Sequence, residues 1–302
     1  MNSSEKKKTA VALGSFDGLH KGHTAVIASA LSLRASGLFP VVLLFDEHPQ
    51  KILGTAPDEI LQKHLRRRIL ENMGIEIVDI SFAEICNMKA EDFYKDILLD
   101  ELNAKALCCG ENYRFGAGGK GDCVLLKELC EKSGTKLQVS ESVMFEGEPV
   151  SSTRIRTAVK SGDIKAANTM LGRPFFYDGE VTKGDRRGRK MGFPTANQFF
   201  EEGFIVPAFG VYASTVRVRG ERYCGITNIG VRPTFGKSKP RSETHIENFD
   251  DDIYGENIEI SLIEKLRDEI RFSSMEELAA QIKKDSETAK LIFEKKGENG
   301  CV

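Results

Sequence analysis

Through the first half of the chain, short apolar runs alternate with longer stretches whose apolar residues recur every three or four positions. TAVAL (9–13), PVVLLF (40–45), IEIVDI (75–80), KALCC (105–109) and KLQVS (136–140) have the length and texture of buried strands. The stretches between them predict helices over 23–36, 59–72, near 91–102 and 122–133. Gly37 stops the first helix, Asp58 is placed to cap the second, and Gly74 lies just past its end. Apolar strands separated by such helices predict an α/β layer, a parallel sheet with helices on its faces. Ligands in such sheets bind beyond the carboxyl ends of the strands.

After residue 150 the period changes. Two short helices, near 152–161 and 163–171, run into Leu171-Gly172-Arg173-Pro174. Beyond them the alternation is every second residue. GVYASTVRVRG and ERYCGITNIG meet at Arg219-Gly220-Glu221, a hairpin signal, and IEISLIEK (258–265) adds a strand. A helix over about 275–295 follows. This half predicts a small antiparallel barrel or sandwich closed by a terminal helix. The boundary falls at 172–176, giving domains 1–174 and 175–302.

Composition narrows the classes. The 302 residues suffice for two ordinary domains, with 40% hydrophobic and 29% charged residues. A net charge of -2 argues against a general nucleic-acid binder. No apolar run approaches the ~18 residues of a membrane span, and the opening MNSSEKKKTAVALG lacks the apolar core of a secretory signal. Seven cysteines without a CxxC pair suit reduced thiols and a cytoplasmic setting. Nothing argues for stable assembly; a monomer, or one that associates only transiently, is the expectation.

GSFDGLHKGH (14–23) follows the first strand. Two histidines three apart could hold a metal, but zinc sites want a third ligand and no cysteine or acid pairs obviously with them. Gly14, Gly18 and Gly22 decide the matter, because they let backbone approach a ligand and expose amides where a helix begins. His20 and His23 then stand where donors stabilise charge building on a phosphate. The stretch VSSTRIR (150–156) supplies hydroxyls at Ser151, Ser152 and Thr153, and its Arg154 and Arg156 suit a polyphosphate. Alone it reads equally as an ordinary helix cap.

KGDRRGRKMGFPTAN (183–197) poses the same question in the second half. Gly184, Gly188 and Gly192 punctuate a loop in which Lys183, Arg186, Arg187, Arg189 and Lys190 fall within eight residues. Thr195 and Asn197, two apart, share a face of an extended chain and offer hard oxygen ligands for Mg²⁺ carried on ATP phosphates. A polar strand after a turn accounts for PTAN taken alone. Glu243, in RSETHIENFDDDIYG (241–255), is a candidate general base, while Asp250, Asp251 and Asp252 read as a turn.

The decapeptide matches the GxFDGxHxGH signature of the nucleotidylyltransferase superfamily. With it stand Phe45 and His48-Pro49, GENYRFGAGGKGD (110–122), VSSTRIR, LGRP, GRKMGFPTAN, VPAFGVYA (206–213), TNIGVRPTF (227–235), ETHIENF and KLRDEIRF (265–272). Taken in order, over about residues 9 to 290, they resemble the prokaryotic bifunctional riboflavin kinase/FAD synthetases. The resemblance implies a Rossmann-like nucleotidylyltransferase domain and a riboflavin kinase β-barrel with a terminal helix. It implies two reactions with ATP and Mg²⁺: riboflavin to FMN, then AMP transfer to FMN, giving FAD and pyrophosphate.

Carried over by position, the resemblance makes His20 and His23 catalytic in adenylyl transfer and Glu243 catalytic in phosphorylation. Gly14, Phe16, Asp17, Gly22, His48, Ser151, Ser152, Thr153 and Arg156 would contact one nucleotide, and Gly184, Gly188 and Gly192 the other. Thr195 and Asn197 would face the metal. Asn112, Tyr113, Arg114, Phe115 and Arg267 would contact flavin. Two departures touch the first module: Glu47 where relatives carry proline, and Gly119 where many carry a basic residue. They leave open a kinase whose first module turns over poorly; a binding protein that regulates without catalysis is the alternative of another class. Thr227 in place of alanine is a smaller change.

Overall fold

The computed structural model describes residues 6–46, 56–184, 193–231 and 239–295. The chain divides into two compact units, Met1–Ser152 and Thr153–Val302. In the first, β1 (Thr9–Ala12), β2 (Phe39–Phe45), β3 (Glu76–Ile80), β4 (Ala104–Gly110) and β5 (Lys136–Ser140) form one parallel sheet ordered β3-β2-β1-β4-β5. The chain builds outward from β1 on one side, then returns to start again at β4. The reversal leaves a crevice beyond the carboxyl ends of β1 and β4, where open α/β sheets bind ligands. The decapeptide leaves β1 there, and the 110–122 stretch leaves β4 beside it. Val11, Leu43, Leu98, Leu107 and Leu126 are buried in the core that carries both loops.

Three helices depart from the pattern. The first runs Lys21–Ser32 and passes into a 3₁₀ turn, Leu33–Ser36, that ends at Gly37 with φ 77°. The second starts four residues later than expected, as Lys63–Asn72 after Gln62, so Asp58 is not its cap. Asp17 explains the delay: its carboxylate accepts the Ile60 amide at 3.0 Å, while Ile60 and Leu61 are buried. A long-range bond has taken a donor that a helix start would have left free. The third, Ala90–Asp92, continues as a π-helical stretch, Phe93–Glu101, closed by the Leu102 amide on the Ile97 carbonyl. A small hairpin, β6 (Met144–Phe145) and β7 (Glu148–Pro149), precedes the helix Ser152–Ser161.

The second unit holds one six-stranded antiparallel sheet, not a sandwich. Its strands are β8 (Phe175–Glu180), β9 (Thr195–Phe199), β10 (Gly210–Val218), β11 (Glu221–Gly230), β12 (Arg241–Ile246) and β13 (Asn257–Arg267). The order is β8-β13-β10-β11-β12-β9, with β10 and β11 the expected hairpin. The sheet curls until its edges meet: Gln198 of β9 donates to Gly179 of β8 at 2.6 Å, and the Thr182 amide reaches Asn197. Closure covers two edges that would otherwise template aggregation. The helices Ile164–Leu171 and Met275–Lys295 complete the unit.

Candidate functional sites

In the first unit the decapeptide folds as a tight turn. Phe16, Gly18 and Leu19 all have positive φ, 53°, 78° and 43°. Gly18 has little freedom to change, because a Cβ there would also press on Ile60 at 3.1 Å. His20 caps the helix that follows: its Nδ1 accepts the His23 amide at 3.3 Å. The two imidazoles stack, with ring centroids 3.7 Å apart, and Phe16 meets His23 edge-on. Gly22 makes this possible, since a Cβ would touch the His20 ring. Phe16 and Asp17 are buried, and Ser152 donates its hydroxyl to the Asp17 carbonyl at 3.1 Å. Gly14, Phe16, Asp17 and Gly22, the residues expected at a nucleotide, thus all belong to this turn.

Both histidines are held neutral. Burial lowers His20 to about 4; burial, then the His20 ring and the Arg66 guanidinium, lower His23 well below the usual imidazole range. Among the described residues, the buried His23 Nδ1 and Arg66 Nε find no hydrogen-bond partner. The low His20 value has a consequence for stability. An unfolded chain binds a proton on this imidazole below 6.5, whereas the fold refuses it until about 4. Stability is therefore intact above the unfolded value and falls as the pH drops through that window. The loss amounts to about 3 kcal/mol for His20. His20→Gln should flatten the acid limb of urea unfolding between these pH values; an unchanged slope would locate the acid sensitivity elsewhere.

The other first-unit residues are distributed unevenly. Ser151 and Ser152 stand at the start of the helix Ser152–Ser161, with Thr153 and Arg156 in its first turns. In the 110–122 stretch Asn112 is exposed, and Arg114 is exposed in an ion pair with Asp122 at 3.3 Å. Phe115 is a core residue, 5% exposed and packed on Phe93, with Tyr113 stacked on it at 5.8 Å. Reciprocal backbone bonds between Phe115 and Gly121 fix this arrangement, and a Cβ on Gly121 would strike the Phe115 ring at 2.8 Å. Gly119 has φ 65°, so its conformation accounts for the missing basic side chain. Glu47 and His48 lie outside the described residues.

In the second unit the strand register builds the site. Asn197, Glu243, Asn228, Val211 and Arg267 lie opposite one another on β9, β12, β11, β10 and β13. Opposed residues share a face of a sheet, and all five line one cavity of about 560 Å³. Two residues along, Thr195, His245 and Ile226 form a parallel row on the same face. Asn197 is 4% exposed; its Nδ2 donates to the Thr195 carbonyl and its Oδ1 has no partner among the described residues. Gly184 packs directly on it, where a Cβ would lie 2.7 Å from Nδ2. Glu243 is paired with Arg241, two residues back on the same strand, at 2.7 Å.

His245, Asp285 and Gln281 carried no sequence signal. His245 Nδ1 donates to the Pro194 carbonyl at 3.0 Å, which fixes its tautomer and the approach to Thr195. Arg267 lines the cavity, but Asp285 of the terminal helix takes its charge at 2.8 Å, and Gln281 holds the other carboxylate oxygen. Arg267 therefore shapes the cavity without bringing a free charge to it. The aspartates behave as a turn: Asp252 accepts the Tyr254 amide and Asp251 pairs with Arg219. Gly188 and Gly192 lie outside the described residues.

Comparison with known proteins divides the chain in the same way. The family model described as FAD synthetase matches residues 2–154, and the one described as riboflavin kinase matches 171–293. A bifunctional riboflavin kinase/FMN adenylyltransferase from Bacillus subtilis is 35% identical over 96% of this chain and 94% of its own length. One from Escherichia coli is also 35% identical, over 93% of this chain and 91% of its own. A crystal structure described as a macrolide-efflux protein from Streptococcus pneumoniae superimposes with a TM-score of 0.86 at 32% identity, covering 94% of each chain. Among the described residues no helix is long and apolar enough to cross a membrane.

Proposed function

Because the chain belongs to the bifunctional riboflavin kinase/FMN adenylyltransferase family, we propose how its two sites divide that work. The protein is an enzyme that phosphorylates riboflavin with ATP to give FMN, and transfers AMP from ATP to FMN to give FAD and pyrophosphate. The observation that carries the site assignment is the cross-strand row in which Glu243 lies between Asn197 and Asn228 on one cavity wall.

In the kinase site Glu243 takes the proton of the ribityl 5′-hydroxyl as that oxygen bonds to the γ-phosphorus of ATP, and ADP leaves with the electrons of the broken bond. Arg241 keeps the carboxylate in place. Asn197 Oδ1, without a partner among the described residues, and the Thr195 hydroxyl of the same cavity wall fit the hard-oxygen preference of Mg²⁺. These two residues would hold the ion, which when bound draws charge from the ATP phosphates. Gly184 lets the backbone pass close over Asn197; Gly188 and Gly192 would serve the same nucleotide.

In the adenylyl-transfer site an FMN phosphate oxygen attacks the α-phosphorus, and the bond to the bridging oxygen breaks toward pyrophosphate. The reaction needs position and charge stabilisation and no covalent nucleophile. His20 and His23 face the α-phosphate as neutral donors. Ser151, Ser152, Thr153 and Arg156 serve the triphosphate, and His48 serves the nucleotide. Asn112 and Arg114 are the exposed groups for FMN, on a base made by Tyr113 and Phe115. The buried thiols Cys108, Cys109 and Cys130 suit a reducing, cytoplasmic setting.

One chromatographic assay tests the reading. Riboflavin with Mg²⁺-ATP should yield FMN, FMN with Mg²⁺-ATP should yield FAD and pyrophosphate, and EDTA should stop the first reaction. Unchanged riboflavin would sink the kinase assignment; FMN without FAD would confine activity to the second unit.

A further inference from the structure

We propose that Arg66 is a further anion-binding side chain of the adenylyl-transfer site, holding an oxygen of the ATP triphosphate beside His23. The inference rests on the reading that places this reaction at the histidine turn.

The helix that carries Arg66 is tied to the histidine turn by a chain of fixed contacts. Asp17 holds the Ile60 amide, and Gly18 lies against the Ile60 side chain. The helix Lys63–Asn72 starts just beyond, and the Arg66 amide bonds to the Gln62 carbonyl at 2.9 Å. The turn that carries His20 thus also sets the first turn of the helix that carries Arg66.

The electrostatics of the cluster are unbalanced without a ligand. Three arginines stand in a row. Arg67 spends its charge on Asp79, with bonds of 2.6 and 2.8 Å, and Arg68 is the exposed one. Among the described residues no carboxylate forms an ion pair with Arg66, and its buried Nε lacks an acceptor. Its charge lies close enough to His23 to help keep that ring neutral. His23 Nδ1 is orphaned too. A half-buried guanidinium near a buried imidazole is costly unless an anion arrives. A phosphate oxygen answers the guanidinium and relieves the imidazole of an unanswered charge. The planar fork of arginine suits the β- and γ-phosphates, which carry away the bonding pair when pyrophosphate departs.

The test uses the full chain and inorganic pyrophosphate as the probe. Arg66→Gln should lower kcat/KM for ATP in FAD formation by about ten- to a hundredfold and weaken pyrophosphate binding in calorimetry by a similar factor. Values within twofold of wild type for both would overturn the proposal. Should the variant fail to fold, the wild-type protein still decides: the Arg66 Nε–H resonance must shift on adding pyrophosphate, and an unmoved resonance is as damaging. His23→Ala separates the two levels. If it retains FAD formation, the site itself is misplaced; if it loses FAD formation while Arg66→Gln keeps it, only the role of Arg66 fails.

Discussion

Glu243→Gln is expected to slow riboflavin phosphorylation by about two to four orders of magnitude, the usual weight of a positioned general base. The amide keeps the shape of the carboxylate and cannot take the proton. Its neighbours are set by register, with Asn197 on one side and Asn228 on the other, so the substitution leaves the cavity wall standing. The loss should therefore appear in kcat with KM for riboflavin little changed, the pattern of an interaction made in the transition state. The variant does remove the charge that Arg241 meets at 2.7 Å. That pair is only 14% and 24% exposed, so part of the effect will be on stability, read separately from the unfolding midpoint. FAD formation from supplied FMN should proceed at the wild-type rate. Phosphorylation within threefold of wild type would remove Glu243 from the mechanism.

The residues that this prediction uses were visible one at a time in the sequence, and their arrangement was not. Strand β12 shows why. Its residues alternate, but Ser242, Thr244 and Ile246 turn inward while Arg241, Glu243 and His245 do not, so both faces of the strand carry polar groups. Period-two hydrophobicity, the signal that revealed β10 and β11, is absent there. Without β12 the row from Asn197 to Arg267 could not be drawn. The inward face explains a second point. Thr227 is a modest change on paper, but its hydroxyl links Ser214 at 2.7 Å to Thr244 at 2.9 Å in the barrel interior. Buried hydroxyls need partners, and here three supply one another.

In the first unit the central strands β1, β2 and β4 were read well because they are buried on both faces and show as plain apolar runs, whereas the edge strands β3 and β5 are half-buried. What local pattern could not show was competition at a distance. Asp17 claims the Ile60 amide from 43 positions away and moves a helix start. The same limit hid Phe115, whose aromatic ring looked suited to stacking on flavin. Its backbone pairing with Gly121 turns the ring into the core. Arg66 was hidden as one of three adjacent arginines, a pattern that reads as a solvated face until the partner of each is known.

His23→Ala is expected to lower FAD formation by about two to three orders of magnitude, the cost of removing one preorganised donor from a charge-building centre. Riboflavin phosphorylation should be spared. The ring is stacked on His20 at 3.7 Å and meets Phe16 at 5.4 Å, so alanine also leaves a gap in the turn. His23→Gln fills more of that gap and keeps an N–H donor. If positioning a donor is what matters, glutamine should recover part of the rate; if the ring only packs, glutamine and alanine should unfold at lower temperature with FAD formation otherwise normal. The pH profile separates these cases further. His20 and His23 are neutral in the fold, because burial and the nearby Arg66 oppose a second positive charge. Catalysis by neutral imidazoles predicts no gain in FAD formation as the pH falls from 8 to 6, whereas an imidazolium acid would gain. A rate that rises on acidification in wild type and stays flat in His23→Ala would mean that ATP itself brings the proton to His23, reversing the charge state assigned to the free site.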